Sequence, residues 1–305
     1  MPLRGASTTS PGGPGDRSQA TRDLDRLPPR EVVARILEQD AMVAGAVAAC
    51  ADQLGRAVEG VASRLRRGGR LFYVGAGTSG RLAVLDAAEV PATYGTPSEL
   101  VQVILAGGER AFLGAVEGAE DDAAAGAAAV RQRARAADAV VGVAASGTTP
   151  FTVAALAAGR ELGCLTVAVT AVPSSPLARR AEIAITPETG PEVVMGSTRM
   201  KAGTAQKMVL NALSTGVMVV LGRVYSNLMV EMPASNEKLR RRAARMVELA
   251  AGVGEEAARR ALDAADGEVK RAVAMLRLGL DAAGAGERLA RHDGDLRAAL
   301  GERDR

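Results

Sequence analysis

The sequence predicts an α/β protein: a three-layer α-β-α arrangement around a parallel five-stranded sheet, with N-terminal helices before it and a small C-terminal helical domain after it. Between residues 70 and 186, five short runs of β-branched and other apolar residues alternate with helical stretches. Each run is apolar on both faces, as strands of a parallel sheet covered on both sides must be. On either side of this region apolar residues recur at helical spacing instead. The chain of 305 residues, 48% hydrophobic and 24% charged, is long enough to bury a core without disulfides or a structural metal.

Each element follows from local pattern. Residues 1–22 are rich in Gly, Pro, Ser and Thr and lack the apolar centre of an export signal, so they read as a disordered tail. Residues 31–67 carry helical periodicity, with breaks at Gly55 and at Gly68-Gly69, and read as two helices. Strands are expected at 70–74, 100–105, 139–144, 165–170 and 182–186, with helices at 80–88, 110–135 and 152–162. The uncharged run 139–159 is long enough to span a membrane, but Ser146-Gly147-Thr148-Thr149-Pro150 interrupts it; it divides into a strand, a polar loop and a helix start. A long helix at 198–225 is apolar on most sides. From Asn236 the composition turns to Arg, Ala and Glu with helical period. The expected organisation is a tail at 1–22, a main domain at 23–235 and a helical domain at 236–305.

Composition excludes several kinds of activity. There is no Trp, with three Tyr and three Phe, which is too few aromatics for a base-stacking platform on single-stranded nucleic acid. His292 is the single histidine, so imidazole triads and His-rich zinc sites are excluded from the main body. Cys50 and Cys164 match no metal spacing and read as two buried thiols of a reduced, cytoplasmic protein. The net charge is +3, and Arg240, Arg241 and Arg242 read as a solvated helix face. No nucleic-acid partner, membrane, metal or cofactor is expected.

In a doubly wound sheet, ligands sit at the carboxyl ends of the strands, so the loops there are where chemistry should be sought. Gly75-Ala76-Gly77-Thr78-Ser79-Gly80-Arg81 satisfies the glycine spacing of dinucleotide-binding turns. However, the second predicted strand runs into Ala106-Gly107-Gly108 without the acid that would hold a ribose, which speaks against a dinucleotide. Gly77, Thr78 and Ser79 instead offer free amides and small hydroxyls at a helix start, a nest for a phosphate monoester; an ordinary helix cap is the alternative. Ser146, Gly147, Thr148 and Thr149 repeat the pattern after another strand, and two such loops on one sheet edge can surround a single phosphate. A third segment, 190–207, offers Glu192, Ser197, Thr198 and Lys201 as further substrate- or phosphate-binding residues. Two of the chain's four lysines, Lys201 and Lys207, fall in it, although both could simply decorate the start of the long helix. With no histidine available, carboxylates are the natural proton carriers. Glu89, just before Pro91, and Glu120, in an acidic turn of the next helix, are the candidates, each also readable as a solvated helix charge.

Taken together, the two loops resemble the sugar isomerase (SIS) domain. Residues 75–81 with Leu85-Asp86-Ala87-Ala88-Glu89, residues 116–122, residues 190–207 and Ala234-Ser235-Asn236-Glu237-Lys238-Leu239 resemble the N-acetylmuramic acid 6-phosphate etherase family. The glucokinase regulatory protein shares parts of them. The resemblance runs from about residue 23 to the C-terminus. It implies cleavage of the D-lactyl ether of N-acetylmuramic acid 6-phosphate, giving N-acetylglucosamine 6-phosphate and D-lactate, in peptidoglycan recycling. It places the two catalytic glutamates on Glu89, as the acid that protonates departing lactate, and Glu120, as the base, in an elimination followed by water addition. Lactate leaves poorly as an alkoxide, so one carboxyl has to arrive protonated.

Three positions depart from the family pattern. Asp16-Arg17-Ser18-Gln19 replaces a Thr-Glu-x-x-Asn stretch, Thr148 stands where an Arg is usual, and Met195 replaces a smaller residue. If residues 79–89 are one helix, a rise of about 1.5 Å per residue separates Ser79 from Glu89 by roughly 15 Å. That is more than a hexose phosphate spans, so a homodimer with shared sites is expected. A sugar-phosphate sensor and an aldose–ketose isomerase are the competing readings. A sensor needs the phosphate loops without both glutamates, and lactate release separates all three.

Overall fold

The computed structural model describes residues 12–234 and 236–302. Residues 1–11 of the expected tail and Ser235 of the 234–239 stretch lie outside the described residues. Three helices come first, α1 (Pro29–Asp40), α2 (Val43–Ala48) and α3 (Ala51–Arg66). Residue 55 does not break α3, because Leu54, Ala57, Val61 and Leu65 form one buried face that holds the helix through it. Next come β1 (Leu71–Gly75), α4 (Gly77–Tyr94), β2 (Val101–Leu105), α5 (Arg110–Leu113), α6 (Ala123–Arg133) and β3 (Ala139–Val143). The domain is completed by α7 (Pro150–Glu161), β4 (Leu165–Val169), α8 (Pro176–Arg180), β5 (Ile183–Ile185) and α9 (Lys201–Val220).

All five strands are parallel, in the order β2-β1-β3-β4-β5. Every residue of β1, β3 and β4 is buried, whereas edge strand β2 is only partly so. Alternate side chains serve opposite faces. Leu71, Tyr73, Val141 and Val167 pack under α3, α4 and α9, while Phe72, Val74, Val140 and Ala168 pack under α6, α7 and α8. These are the three layers that the apolar runs predict.

The long helix expected at 198–225 is shorter, Lys201–Val220, and three further expectations are corrected. The helix expected at 80–88 is longer, running from Gly77 through Pro91 to Tyr94. The helix expected at 110–135 is two helices with an irregular stretch at 114–122 between them. Asp122 caps the second of these by accepting from the Ala125 N–H at 2.8 Å, so helix begins there, after the breaks at Gly114 and Gly118. The segment 12–22, expected as tail, is laid against the main domain. Ser18 and Thr21 are buried, and the Thr21 hydroxyl donates to the Val193 carbonyl at 2.8 Å.

The C-terminal part contains α10 (Glu237–Ala251), α11 (Glu255–Ala264), α12 (Val269–Leu278), α13 (Ala282–Ala290) and α14 (Leu296–Ala299). They close around their own apolar core, which also takes in Tyr225, Val230 and Met232 ahead of α10. Arg240 and Arg241 pair with Glu237 on an exposed face. No described helix is long and apolar enough to cross a membrane.

Candidate active site

Strands β1 and β3 are neighbours, with Gly75 paired to Val143. The two hydroxyl-bearing loops that follow them therefore leave the sheet side by side, at the point where the strand order reverses and ligands bind. Gly77, Thr78 and Ser79 form the first turn of α4, and no side chain caps it. Their amides are the free N-terminal donors of a long helix, which suits an anion. In the second loop the Ser146 and Thr148 hydroxyls lie 2.8 Å apart, and Thr149 stands at the start of α7 with its hydroxyl not used as a cap. Gly147 has φ +67°, and a Cβ there would meet the Ser175 hydroxyl at 2.2 Å. No other residue could turn the loop so close to its neighbour.

The third segment reaches the same edge. Ala202, in the first turn of α9, packs with Ala145 and Ala171 at the ends of β3 and β4. A Cβ on Gly203 would lie 3.6 Å from the Thr78 methyl and 3.4 Å from the Thr198 carbonyl. Thr198 and the turn containing Ser197 are thus carried to the mouth of the first loop.

Glu192 and Lys201, expected to face substrate, face inward instead. The Glu192 carboxylate is fully buried and accepts from the Lys201 and Ala202 N–H groups, each at 2.9 Å. It caps α9, occupying two amides that would otherwise be free for an anion. Burial pushes its pKa up, against the downward pull of those two N–H groups and of the Lys201 ammonium. The Lys201 side chain is also buried and donates to Gln39 Oε1 at 3.3 Å, joining α9 to the end of α1. Burial lowers its pKa, opposed by Glu192 and Asp40. The pair braces the segment that presents Ser197 and Thr198.

Glu120 lies in the stretch between α5 and α6, in a cleft of about 340 Å³ that Ala76, Gly77 and Arg81 also line. Two contacts place it there. The Phe151 N–H, from the first turn of α7, donates to the Glu120 carbonyl at 3.0 Å. The Arg81 guanidinium donates to the carbonyls of Ala111 and Phe112, both at 3.0 Å, and of Gly114, at 2.9 Å. Sequence reasoning passed over Arg81 as a site residue, although it closes the glycine-rich turn. Glu89 is not in this cleft. It is exposed, on the same uninterrupted helix as Ser79, and ten residues at about 1.5 Å each separate the two by roughly 15 Å. Leu85, Ala88 and Ala92, also exposed, surround it with an apolar helix face.

A second residue passed over is Asp86. It is a charged side chain in an otherwise apolar run, which was the available signal. Asp86 is buried and accepts hydrogen bonds from Tyr73, Asn211 and Ser214. Burial, and then the Asp86 charge, push the Tyr73 phenol well above its usual pKa, so it stays a donor. Among the described residues no group of His, Cys, Asp and Glu gathers to hold a metal ion.

Comparisons with known proteins place the chain in a family. The model of the glucokinase regulatory protein N-terminal SIS domain matches residues 53–160, and that of the SIS domain matches 120–216. An N-acetylmuramic acid 6-phosphate etherase of Symbiobacterium thermophilum is 59% identical over 264 residues, 87% of this chain and 88% of that one. The etherase of Salmonella typhimurium is 55% identical over 285 residues, 93% of this chain and 96% of that one. Among solved structures, a phosphoheptose isomerase from Francisella tularensis superposes with a TM-score of 0.49 at 16% identity, over 63% of this chain and 98% of that one. With more than half of its residues shared along almost the full length of such relatives, this chain belongs to the N-acetylmuramic acid 6-phosphate etherase family.

Proposed function

We propose that the chain is a carbon–oxygen lyase that cleaves the D-lactyl ether of N-acetylmuramic acid 6-phosphate. The products are N-acetylglucosamine 6-phosphate and D-lactate, and the role is in peptidoglycan recycling. The observation that carries this reading is the placement of Glu120 in one cleft with Gly77, at the junction of β1 and β3. The family's etherases, at 55–59% identity, favour a lyase over the sensor and isomerase readings.

In this scheme the phosphate sits on the amides and hydroxyls of Gly77, Thr78 and Ser79, with Ser146, Gly147, Thr148 and Thr149 closing from the adjacent loop and Ser197 and Thr198 from the third segment. The sugar reacts as its open-chain aldehyde. Glu120 removes the proton on C2, alpha to the aldehyde. The resulting enolate then forms the C2–C3 double bond as the C3–O bond breaks, and Glu89 protonates the departing lactate oxygen. Water then adds to C3, and the proton returns to C2. Glu192 and Lys201 support this site from beneath rather than touching substrate.

The Glu89 that serves each phosphate belongs to the second subunit of a homodimer. The length of α4 between Ser79 and Glu89 supports this, as does the exposed face of Leu85, Ala88 and Ala92 around Glu89. Mixing Glu89→Ala and Ser79→Ala chains should restore part of the activity that each lacks alone; no rescue would count against sharing. The same reading divides the chain at residue 235, with a UBA-like helical domain after it to which no chemistry is assigned. It also places the enzyme in the cytoplasm, where its buried free thiols, Cys50 and Cys164, remain reduced.

D-lactate release from N-acetylmuramic acid 6-phosphate tests the function directly. A chain that binds the sugar phosphate and releases no lactate is a sensor, and one that converts the aldose to a ketose is an isomerase.

A further inference from the structure

Helix α4 carries both ends of the proposed site, the phosphate turn at its start and Glu89 ten residues on. Its orientation about its own axis therefore decides where Glu89 points. Val90 and Tyr94 anchor the far end of the inward face of α4, but beside Asp86 the buried side chains are those of Ala83 and Ala87. Small side chains interlock weakly and resist rotation little.

Asp86 supplies what the alanines lack. It stands one turn before Glu89 and is 5% exposed. Its Oδ2 accepts from the Tyr73 hydroxyl at 3.0 Å. Its Oδ1 accepts from Asn211 Nδ2 at 2.7 Å and from the Ser214 hydroxyl at 3.0 Å. Tyr73 is fully buried on β1, and Asn211 and Ser214 belong to α9. Further along the same seam the Tyr94 hydroxyl donates to Thr215 at 3.2 Å. Among the described residues no Lys or Arg pairs with Asp86. A buried carboxylate without a cation is costly, and an apolar side chain would satisfy the core more cheaply. What the carboxylate adds is direction: donors fixed on two different elements define a single rotation of the helix that bears it.

We propose that Asp86 is a positioning residue that fixes the roll of α4 against β1 and α9, and through it the direction in which Glu89 leaves the helix. This rests on the reading of Glu89 as the acid. The phosphate turn has its own anchor, Gly80 lying so close to β1 that a Cβ there would come within 2.8 Å of the Gly75 carbonyl, so loss of Asp86 should disturb Glu89 more than phosphate binding.

The test is steady-state lactate release by the full chain and its Asp86→Ala, Asp86→Asn and Tyr73→Phe variants, with folding checked by circular dichroism. Asp86→Ala should lower kcat by roughly ten- to a hundredfold with KM changed less than about twofold, as expected for a misaimed reacting group. Asp86→Asn should recover most of that loss, because its amide oxygen can still accept from Asn211 and Ser214. A raised KM with kcat preserved, or equal losses in the Ala and Asn variants, would overturn the proposal. Should Asp86→Ala fail to fold, Tyr73→Phe takes its place: a drop in kcat of about threefold at constant KM supports the proposal, and a wild-type kcat overturns it. If the unmodified chain releases no lactate, the proposed function falls and this inference with it. An active wild type with the wrong variant pattern removes this inference alone.

Discussion

Around Glu120 the chain builds its own cleft, with Arg81 fastening the loop on one side and the Phe151 N–H holding it on the other. Around Glu89 it builds none: the carboxylate stands exposed on a helix face of Leu85, Ala88 and Ala92. Both glutamates are exposed residues, but one lines a cleft built within a single chain and the other stands outward on an apolar surface. Desolvating an acid requires cover, and a second copy of the same helix face is the cover that the shared-site reading supplies.

The sharpest test of this contrast separates the two carboxylates by chemistry. Glu120→Gln should abolish both lactate release and exchange of the C2 proton with solvent. Glu89→Gln should lose release by roughly 10²–10⁴-fold, the range for a positioned general acid, while C2 exchange followed by NMR in D₂O persists. If the two variants lose exchange equally, the division of roles is wrong.

The next largest effect concerns the open half. Leu85 is 52% exposed, and Leu85→Asp places a charge on the face around Glu89. Light scattering should show the mass falling from two chains to one, with lactate release falling alongside. A variant that stays dimeric and active would move the subunit seam elsewhere. Arg81→Ala probes the closed half: freeing the three carbonyls that Arg81 holds should lower kcat/KM by about tenfold through loss of Glu120 alignment, with the mass unchanged. The smallest effect is expected from Thr148→Arg, which restores a guanidinium to the exposed second loop. At a partly screened surface such a charge is worth about 0.2–1 kcal/mol, so KM for the phosphorylated sugar should fall by a few-fold at most, and an unchanged KM would place the phosphate away from Thr148.

Much of the fold was legible because burial on both faces leaves a strong mark. The apolar runs at 70–74 and 139–144 became β1 and β3 within a residue or two, since a central parallel strand has no polar face to offer. The errors fell where tertiary contacts overrode local preference. The Ala-rich run 123–129 favours helix and masked the breaks at Gly114 and Gly118, where Arg81 and the Asp122 cap hold 114–122 out of helix and so shape the cleft around Glu120. Glu192 carried the right motif but an unexpected role, because whether a carboxylate meets substrate or its own helix depends on which way the preceding turn folds. Asp86 was hidden for a related reason: its partners Tyr73, Asn211 and Ser214 are remote in sequence and meet only when β1, α4 and α9 are stacked.

Sequence alone determined the class of fold and offered the two hydroxyl-bearing turns and the two glutamates as candidates, because periodicity, glycine spacing and residue chemistry are local properties of a chain. Tertiary structure alone decided which of these groups share a space. It set Gly77 beside Glu120, turned Glu192 and Lys201 inward as braces, and left Glu89 facing out from a helix whose rotation is fixed by donors on two other elements. Those outcomes depend on distances between segments far apart in the chain, which only packing establishes.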